Sequence, residues 1–233
     1  TRSYGVTGVQ TCALPICLGV DKNSQELTMY QLMIGECQIN ECLVHTQFER
    51  VDIIPSNVNL AGAEIDLIGT DKREYILKNA LSTIKDKYDF IVLDCPPSLS
   101  ILTVNAMVAA DTVLVPIQCE YYALEGLSQL MHTINLVQSR LNPELKMEGV
   151  VFTMYDARTN LSLQVVENVK EYLKQDVYKA IIPRNVRLAE APSYGLPINY
   201  YDKKSTGAEG YRILAQEVIN YGKEKRSKKK TSK

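Results

Sequence analysis

Short, continuously apolar runs alternate with helical stretches through most of this 233-residue chain. Apolar runs bounded by turn residues are typical of strands buried on both faces of a parallel sheet. The predicted strands are 51–55 (VDIIP), 89–94 (DFIVLD), 112–117 (TVLVPI), 148–154 (EGVVFTM) and 177–182 (VYKAII). Helices are predicted at 62–85, 99–109, 123–139, 161–175 and 208–221. Because such alternation requires right-handed crossovers, we expect an α/β fold of three layers around a mostly parallel sheet.

The two ends of the chain depart from this pattern. Residues 1–20, TRSYGVTGVQTCALPICLGV, have neither helical nor strand periodicity, and glycines and a proline interrupt them. Residues 223–233, KEKRSKKKTSK, carry a charge of +6 and leave −7 on the rest of the chain. A basic tail on an acidic body has two interpretations. It contacts nucleic acid or another anionic surface, or it is a solvated, disordered terminus.

Composition narrows the class of protein. The 26.2 kDa mass fits one domain, and 45% hydrophobic with 23% charged residues is typical of a soluble globular protein. No run is apolar over the length that a membrane span needs, and the first residues have no pattern of a secretory signal. The six cysteines include no C-x-x-C pair and there are only two histidines, which argues against a zinc site.

One candidate site residue follows from the strand pattern. The run at 89–94 ends in Asp94 and is followed at once by Pro96 and Pro97. Parallel sheets bind ligands beyond the carboxyl ends of their strands. An aspartate in that place suits the magnesium ion of a bound nucleotide, which it coordinates directly or through water.

Longer motifs resemble one known family. They are DCPPSLS at 94–100, AADTVLVP at 109–116, VPIQCEYYALEGLSQL at 115–130, FTMYDARTNLS at 152–162 and IIPRNVRLAEAPSYGLPINYYDKKSTGAEGY at 181–211. Together they resemble the ParA/Soj family, the deviant Walker-type ATPases that partition chromosomes and plasmids. The resemblance runs from Leu18 to Tyr221.

This resemblance implies a P-loop NTPase fold with ATP and Mg²⁺ as cofactors. In the family two ATP-bound subunits form a sandwich homodimer that binds DNA nonspecifically. A ParB-type centromere-binding protein then stimulates hydrolysis. We therefore expect a cytoplasmic, nucleoid-associated ATPase without a stable membrane anchor, in which Asp94 is the catalytic and magnesium-binding carboxylate.

The resemblance also assigns the DNA contacts. Arg158 and Arg187 match the two arginines that contact DNA in the family, and Arg184 with the 203–204 lysine pair extends the same basic patch. Nonspecific binding needs side chains directed at phosphates, with no contact to bases.

Four further residues are assigned to the nucleotide and the dimer, the first two by the resemblance and the other two by their place after a strand. Pro183 and Asn185 lie in the loop that holds adenine, where a ring can stack on the base and an amide can pair with its edge. A proline that ends a strand also needs no ligand to explain it. Gln118 and Glu120 begin the loop after the strand at 112–117, and we expect them at the dimer face or switch region.

The phosphate-binding half of the site is missing from the sequence. The P-loop motif G-x-x-x-x-G-K-[S/T] does not occur, and the one Gly-Lys pair, Gly222-Lys223, continues into Glu224. Residues 6–16, VTGVQTCALPI, look like an in-frame translation of a sequencing-library adapter. We thus expect a non-native leader at 1–17, an incomplete ATPase domain at 18–222 that lacks its first strand and P-loop, and a basic, disordered tail at 223–233. A divergent N-terminus is the alternative.

The sequence predicts one function and leaves two alternatives to it open. We expect a ParA/Soj-type partitioning ATPase that is inactive in the form printed here. A MinD-like membrane-cycling ATPase is the second possibility, although no Leu, Ile or Phe follows Ile219 to insert into a bilayer. A non-catalytic DNA-binding regulator is the third, and it fits the missing motif. The sequence does not distinguish a chromosomal from a plasmid role.

Overall fold

The computed structural model describes residues 3–7, 13–21, 24–95, 100–173 and 176–231. The strands are β1 (Ser3–Thr7), β2 (Val44–His45), β3 (Asp52–Ile53), β4 (Ile91–Cys95), β5 (Thr112–Gln118), β6 (Lys146–Tyr155) and β7 (Val177–Pro183). The helices are α1 (Ala13–Cys17), α2 (Met29–Ile34), α3 (Ala63–Asp66), α4 (Ile76–Ser82), α5 (Ile101–Ala109), α6 (Ala123–Arg140), α7 (Asn160–Leu173), α8 (Val186–Glu190), α9 (Ile198–Tyr201) and α10 (Thr206–Thr231).

The main sheet contains five strands in the order β4-β1-β5-β6-β7, and all its pairings are parallel. A separate antiparallel pair is formed by β2 and β3. The strands β4, β5, β6 and β7 confirm the apolar runs predicted from the sequence, with bounds that differ by a few residues. The expected three-layer α/β fold with a parallel sheet is confirmed.

Alternate side chains of the strands enter different layers. Val113, Val115 and Ile117 of β5 pack in one core cluster with residues of α5, α6 and α7. Leu114, from the same strand, packs with β6, β7 and side chains of α10 on the opposite face. Because successive side chains of a strand point to opposite faces, a strand that is apolar at every position can serve both cores. A third cluster joins α2, α3, α4 and α5 to Leu93 of β4.

The expectation that the chain lacks a first strand is wrong. Residues Ser3–Thr7 form β1, which lies between β4 and β5, so that Tyr4 is in register with Val92 on one side and Thr112 on the other. A gap at this place would leave the backbone groups of two strands unpaired. The sequence SYGVT contains Tyr, Val and Thr, which favour strands, and its backbone satisfies both neighbours.

Two other predicted elements are shorter or more broken than expected. Of the strand predicted at 51–55, only β3 forms, outside the main sheet, because Pro55 has no N–H to continue a ladder. The helix predicted at 62–85 is divided into short helical turns. Gly69 and Lys72 have φ values of +86° and +52°, and this left-handed backbone cannot continue a right-handed helix.

The C-terminal segment also differs from expectation. The tail predicted to be disordered continues α10 as a helix through Thr231, while residues 232 and 233 lie outside the described part. Lys, Arg and Glu are good helix formers, and neither Pro nor Gly occurs after Gly222. Within the described ranges, no helix combines the length and the apolar character needed to cross a membrane.

A buried amide closes the carboxyl end of α5. The Asn142 side chain is 5% exposed, and its Nδ2 lies 3.0, 3.2 and 2.9 Å from the carbonyl oxygens of Met107, Val108 and Ala110. The last carbonyl groups of a helix have no partner within the helix, so this amide satisfies groups that burial would otherwise leave unpaired.

We predict that Asn142→Ala lowers the free energy of unfolding by about 2–3 kcal/mol, because it removes the donor from several buried carbonyl groups. Urea unfolding followed by circular dichroism measures the change. The matched control is Asn220→Ala on the exposed face of α10, which we expect to change stability by less than about 0.5 kcal/mol. Equal effects of the two variants would contradict the capping role.

Candidate functional site

The strand ends that carry the predicted site residues meet at one edge of the sheet. Asp94 in β4 is in register with Val6 in β1. Gln118 at the end of β5 pairs with Thr153 in β6, and Tyr155 at the end of β6 pairs with Pro183 at the end of β7. Parallel pairing therefore places the loops after β4, β5, β6 and β7 side by side, where α/β sheets bind their ligands.

Asp94 is a half-buried carboxylate at the end of β4. Among the described residues, none donates a hydrogen bond to it or forms an ion pair with it. Desolvation by burial raises the pKa of its carboxyl group from 3.8 to about 6. A carboxylate in this condition gains free energy from any cation that approaches it, and perturbed pKa values of this kind are typical of functional sites.

A cavity of about 520 Å³ lies beside Asp94, along the edge of β4 that faces away from β1. Its wall is mostly apolar and includes Met33, Leu81 and Ile91. Among the described residues that line it, Arg50 is the single cation. An apolar wall with one arginine is poorly suited to binding a triphosphate. The same wall makes the surroundings of Asp94 apolar.

The chemistry of the donor set fits magnesium better than it fits the phosphates. Asp94 offers the hard oxygen ligand that Mg²⁺ prefers, and water and phosphate oxygens would complete the shell. The described residues contain no group of three or more His, Cys, Asp or Glu side chains that could hold a metal alone. Residues 8–12 after β1 and 96–99 after β4, with the two prolines of the DCPPSLS motif, lie outside the described residues. The sequence at 8–12, GVQTC, contains no lysine.

Arg158 lies in the turn after β6. Its side chain is 87% exposed, and its Nε and Nη2 donate to the two carboxylate oxygens of Asp156 at 2.9 and 2.7 Å. The Arg158 backbone N–H also donates to Asp156 Oδ1, at 3.0 Å. These bonds hold the pKa of the Asp156 carboxyl well below its usual range, and the charge of Arg184 acts in the same direction.

The other two predicted DNA-binding arginines also have acidic partners. Arg187 lies 2.8 Å from Glu190 and 3.6 Å from Asp202. Arg184 lies 3.9 Å from Glu120, and both side chains are more than half exposed. The structure thus brings Glu120, predicted for the dimer face, into contact with an arginine predicted for DNA. Lys203 and Lys204 lie exposed in the turn before α10.

Asn185 has a structural role in this loop. Its Oδ1 accepts a bond of 2.8 Å from the Arg187 backbone and caps α8, and its Nδ2 donates to Thr206 Oγ1 at 2.8 Å. Adenine would have to replace at least one of these bonds. Pro183 ends β7, as the sequence indicates. The assignment of both residues to an adenine pocket stays a prediction.

An exposed aromatic pair beside Glu120 was missed from the sequence. Tyr121 and Tyr122 are 78% and 73% exposed, and their rings meet edge to face with centroids 5.2 Å apart. Tyrosine is enriched in protein interfaces. Two adjacent exposed rings form an apolar surface whose contact with water is unfavourable. The signal was the YY pair in CEYYALEG, two aromatic residues where a loop normally carries polar ones.

Comparison with known proteins decides the family. A family model described as an AAA domain matches residues 10–147. Soj, the sporulation initiation inhibitor protein of Bacillus subtilis, is 53% identical over 205 residues, which cover 88% of this chain and 81% of that protein. The chain belongs to the ParA/Soj family of partitioning ATPases. The chromosome partitioning protein ParA of Myxococcus xanthus is 50% identical over 202 residues, 87% of this chain and 71% of that protein.

A solved structure supports the same fold. Cobyrinic acid a,c-diamide synthase from Mycobacterium smegmatis, crystallised with an ATP analog and magnesium, superposes with a TM-score of 0.80 at 34% identity. The match covers 95% of this chain and 83% of the synthase. The ATP analog and magnesium of that structure agree with the cofactors predicted from the sequence.

We predict that Asp94→Asn stabilises the chain in a pH-dependent manner. The folded chain holds the Asp94 proton more tightly than the unfolded chain, so stability due to this group falls as the pH rises from about 4 to about 6. The pKa difference corresponds to about 3 kcal/mol for a fully desolvated group, and solvent screening reduces this to about 1–2 kcal/mol. Asparagine avoids the buried charge, so the gain should be present at about pH 7 and absent near pH 4.

Urea unfolding of the parent chain and the variant across this pH range measures the difference. Asp71→Asn, which changes a solvent-exposed carboxylate, is the matched control and should give no pH-dependent gain. A gain for Asp94→Asn that is equal at both pH values would contradict the raised pKa.

Proposed function

We propose that this chain acts in DNA partitioning, as a protein that holds DNA nonspecifically on an arginine row at the carboxyl edge of its sheet. The row is defined as Arg158, Arg184 and Arg187. In the complete reaction, ATP and Mg²⁺ join two subunits, the dimer binds DNA in the cytoplasm on the nucleoid, and a ParB-type partner stimulates hydrolysis and release.

The observation that carries this proposal is the convergence of the arginine row. Arg158 follows β6, whereas Arg184 and Arg187 follow β7, and the Arg184 backbone N–H donates to the Tyr155 carbonyl oxygen at 2.9 Å. The three guanidinium groups therefore belong to adjacent segments, with Arg187 in the short helix α8, and all are more than half exposed. Exposed arginines beyond the strand ends suit binding to phosphates without recognition of sequence.

Because each arginine of the row is paired with a carboxylate, binding to DNA would exchange that carboxylate for a phosphate. Exposed ion pairs of this type contribute about 0–1 kcal/mol, so a DNA phosphate can replace a carboxylate at small cost. Each replacement then releases a counterion from DNA, which favours binding at low salt. The carboxylates keep the arginines oriented in the absence of DNA.

Glu120 connects the row to the proposed subunit interface. It pairs with Arg184, whose charge also acts on Asp156, the partner of Arg158. We infer that Gln118, Glu120 and the neighbouring tyrosine pair form the dimer face. Movement of Glu120 on dimer formation would free Arg184 for a phosphate, so that nucleotide-driven dimerisation and DNA binding would be coupled.

The nucleotide would be held by Asp94 through magnesium, with Pro183 and Asn185 beside the adenine. The chain supplies the carboxylate, but the sequence contains no G-x-x-x-x-G-K-[S/T] motif to bind the phosphates. We propose accordingly that the 233-residue chain does not hydrolyse ATP. The missing motif is also the observation that favours a second function, a DNA-binding regulator without catalysis.

The arginine row is tested with two variants, of which one should lower the affinity for DNA and the other should raise it. Arg158→Ala should lower affinity for duplex DNA of arbitrary sequence by about three- to tenfold and reduce the salt slope of binding by about 0.9. Asp156→Asn should raise affinity, because it removes the competing charge while its Oδ1 still accepts the Arg158 N–H. Fluorescence anisotropy with labelled DNA, between about 50 and 200 mM salt, measures both.

Arg140→Ala is the matched control. This arginine is exposed at the far end of α6, away from the carboxyl edge, and its removal should leave DNA affinity unchanged. Equal losses for Arg158→Ala and Arg140→Ala would mean that net charge alone binds DNA, and the proposed row would be wrong. Vesicles of anionic lipid in place of DNA test the MinD-like alternative, for which binding should be insensitive to Arg158→Ala.

ATP binding is tested by calorimetric titration of magnesium-ATP into the chain. We expect no binding in the micromolar range, because no lysine-bearing loop neutralises the phosphates. A micromolar Kd that Asp94→Asn weakens would contradict the proposed lack of ATPase function and favour a switching ATPase over the regulator.

A further inference from the structure

Helix α10 runs antiparallel to β7, from the carboxyl edge of the sheet towards its amino edge. At the start of the helix, Thr206 Oγ1 accepts a bond of 2.8 Å from Asn185 Nδ2, just beyond the carboxyl end of β7. Further along, Glu217 Oε2 accepts a bond of 2.9 Å from the Lys179 backbone N–H, near the amino end of the same strand. The helix therefore begins beside the arginine row and leads away from it.

The last part of α10 continues past the strand on which the helix packs. Leu214 and Val218 pack against the core cluster that contains Leu114 of β5. From Glu217 to Thr231 the helix is about 21 Å long, given the rise of an α-helix. The part of β7 that precedes Lys179 is only about 7 Å long. About 14 Å of helix thus lies beyond the amino end of β7.

This extension contains most of the positive charge at the end of the chain. Residues 223–231, KEKRSKKKT, include six Lys or Arg and one Glu, and we call this segment the basic end. The preceding part of the helix, 207–222, has Glu209, Arg212 and Glu217 as its charged residues, a net charge of −1. The basic end and the arginine row are therefore two cationic regions, separated by a weakly acidic stretch.

We propose that the basic end is a second contact for the phosphates of DNA, which lets one chain hold two duplexes at opposite edges of its sheet. The bridging rests on the proposed function, because the arginine row supplies the first contact. The phosphate contact at the basic end stands without it.

The charge density of the basic end matches that of a duplex. The segment is about 12 Å long as a helix and carries six cations. A duplex has one phosphate charge per about 1.7 Å of its axis, so about seven charges occur over the same length. Lysines act on phosphates as point charges and need no particular base sequence, so binding at this segment should be nonspecific and sensitive to salt.

The distance between the two cationic regions favours two duplexes over one. Thr206 and Thr231, the ends of α10, are about 38 Å apart along the helix axis. DNA is stiff over about 150 bp, so a duplex bound across the carboxyl edge does not bend round to the basic end. A duplex that lay along α10 instead would meet the stretch at 207–222, which offers no net positive charge.

An anionic membrane is the other surface that attracts a basic helix. Helices that bind in a membrane interface bury bulky apolar side chains next to their basic residues. No Leu, Ile or Phe follows Ile219, so the basic end has none of these residues to insert. The sequence of the segment therefore favours DNA.

The test measures bridging with the full chain and no nucleotide. A biotinylated duplex is held on streptavidin beads, and a second, fluorescent duplex of unrelated sequence is added at about 100 mM salt. We expect the parent chain to retain the fluorescent duplex on the beads. The triple variant Lys228→Gln, Lys229→Gln, Lys230→Gln should retain at least about fivefold less, because up to three phosphate contacts are lost. It should still bind a single duplex in fluorescence anisotropy, through the arginine row.

The matched control changes three exposed lysines that precede β4, in the variant Lys72→Gln, Lys78→Gln, Lys85→Gln. It alters the net charge by the same amount and should bridge like the parent chain. Equal losses of bridging in the two triple variants would mean that net charge alone is responsible, and the proposal would be wrong. A parent chain that binds DNA without bridging would also overturn it.

Two further outcomes separate this proposal from its alternatives. Bridging that persists in the basic-end variant would overturn it, as a dimer that presents two arginine rows would give that result. If that variant also lost binding to vesicles of phosphatidylserine and phosphatidylcholine, the basic end would be a membrane contact. Failure of the arginine row gives a different pattern. Arg158→Ala would then leave affinity for a single duplex unchanged and the basic-end variant would abolish it, which overturns the row and the bridging together.

Discussion

Parallel pairing of the five main strands is the constraint on which the site depends. A parallel ladder sends every strand in the same direction, so the loops after β4, β5, β6 and β7 all emerge at one edge. Asp94, Glu120 and the arginine row come from distant parts of the chain and share no local motif. They share one edge of the sheet because each lies at or just beyond the carboxyl end of a paired strand. The position of β1 between β4 and β5 completes this ladder, since without it the Asp94 strand would have no connection to the rest of the edge.

Burial of Asp94 follows from the same arrangement. Its strand is an outer strand of the sheet, and residues of that strand line a mostly apolar cavity. The apolar wall disfavours the charged carboxylate and raises its pKa. A lysine or arginine beside Asp94 would remove the penalty but would also occupy the place of a metal ion. A carboxylate left without a cation therefore destabilises the chain alone but favours the binding of Mg²⁺. Functional sites commonly reduce stability in this way.

Much of the fold could be predicted from the sequence, because β4, β5, β6 and β7 are apolar at successive positions and buried on both faces. The places of Asp94 and Arg158 near strand ends also follow from the sequence, while their roles in metal and DNA binding stay predictions. β1 was not, because SYGVT has no apolar run and acquires its place only from the backbone groups of β4 and β5. The same holds for the Arg184–Glu120 pair, which depends on a tertiary proximity that periodicity does not encode.

In the proposed function, each arginine of the row exchanges a carboxylate partner for a DNA phosphate. Free guanidinium groups would bind any anion, whereas each member of the row is already paired with a carboxylate. Exposed pairs stabilise the fold little, so their loss to a phosphate costs little, and the released counterions favour the exchange. In this proposal, the competition between carboxylate and phosphate sets the affinity for DNA. Because Glu120 takes part in that competition from the neighbouring loop, any partner that binds Glu120 changes the charge available to DNA without moving the arginines themselves.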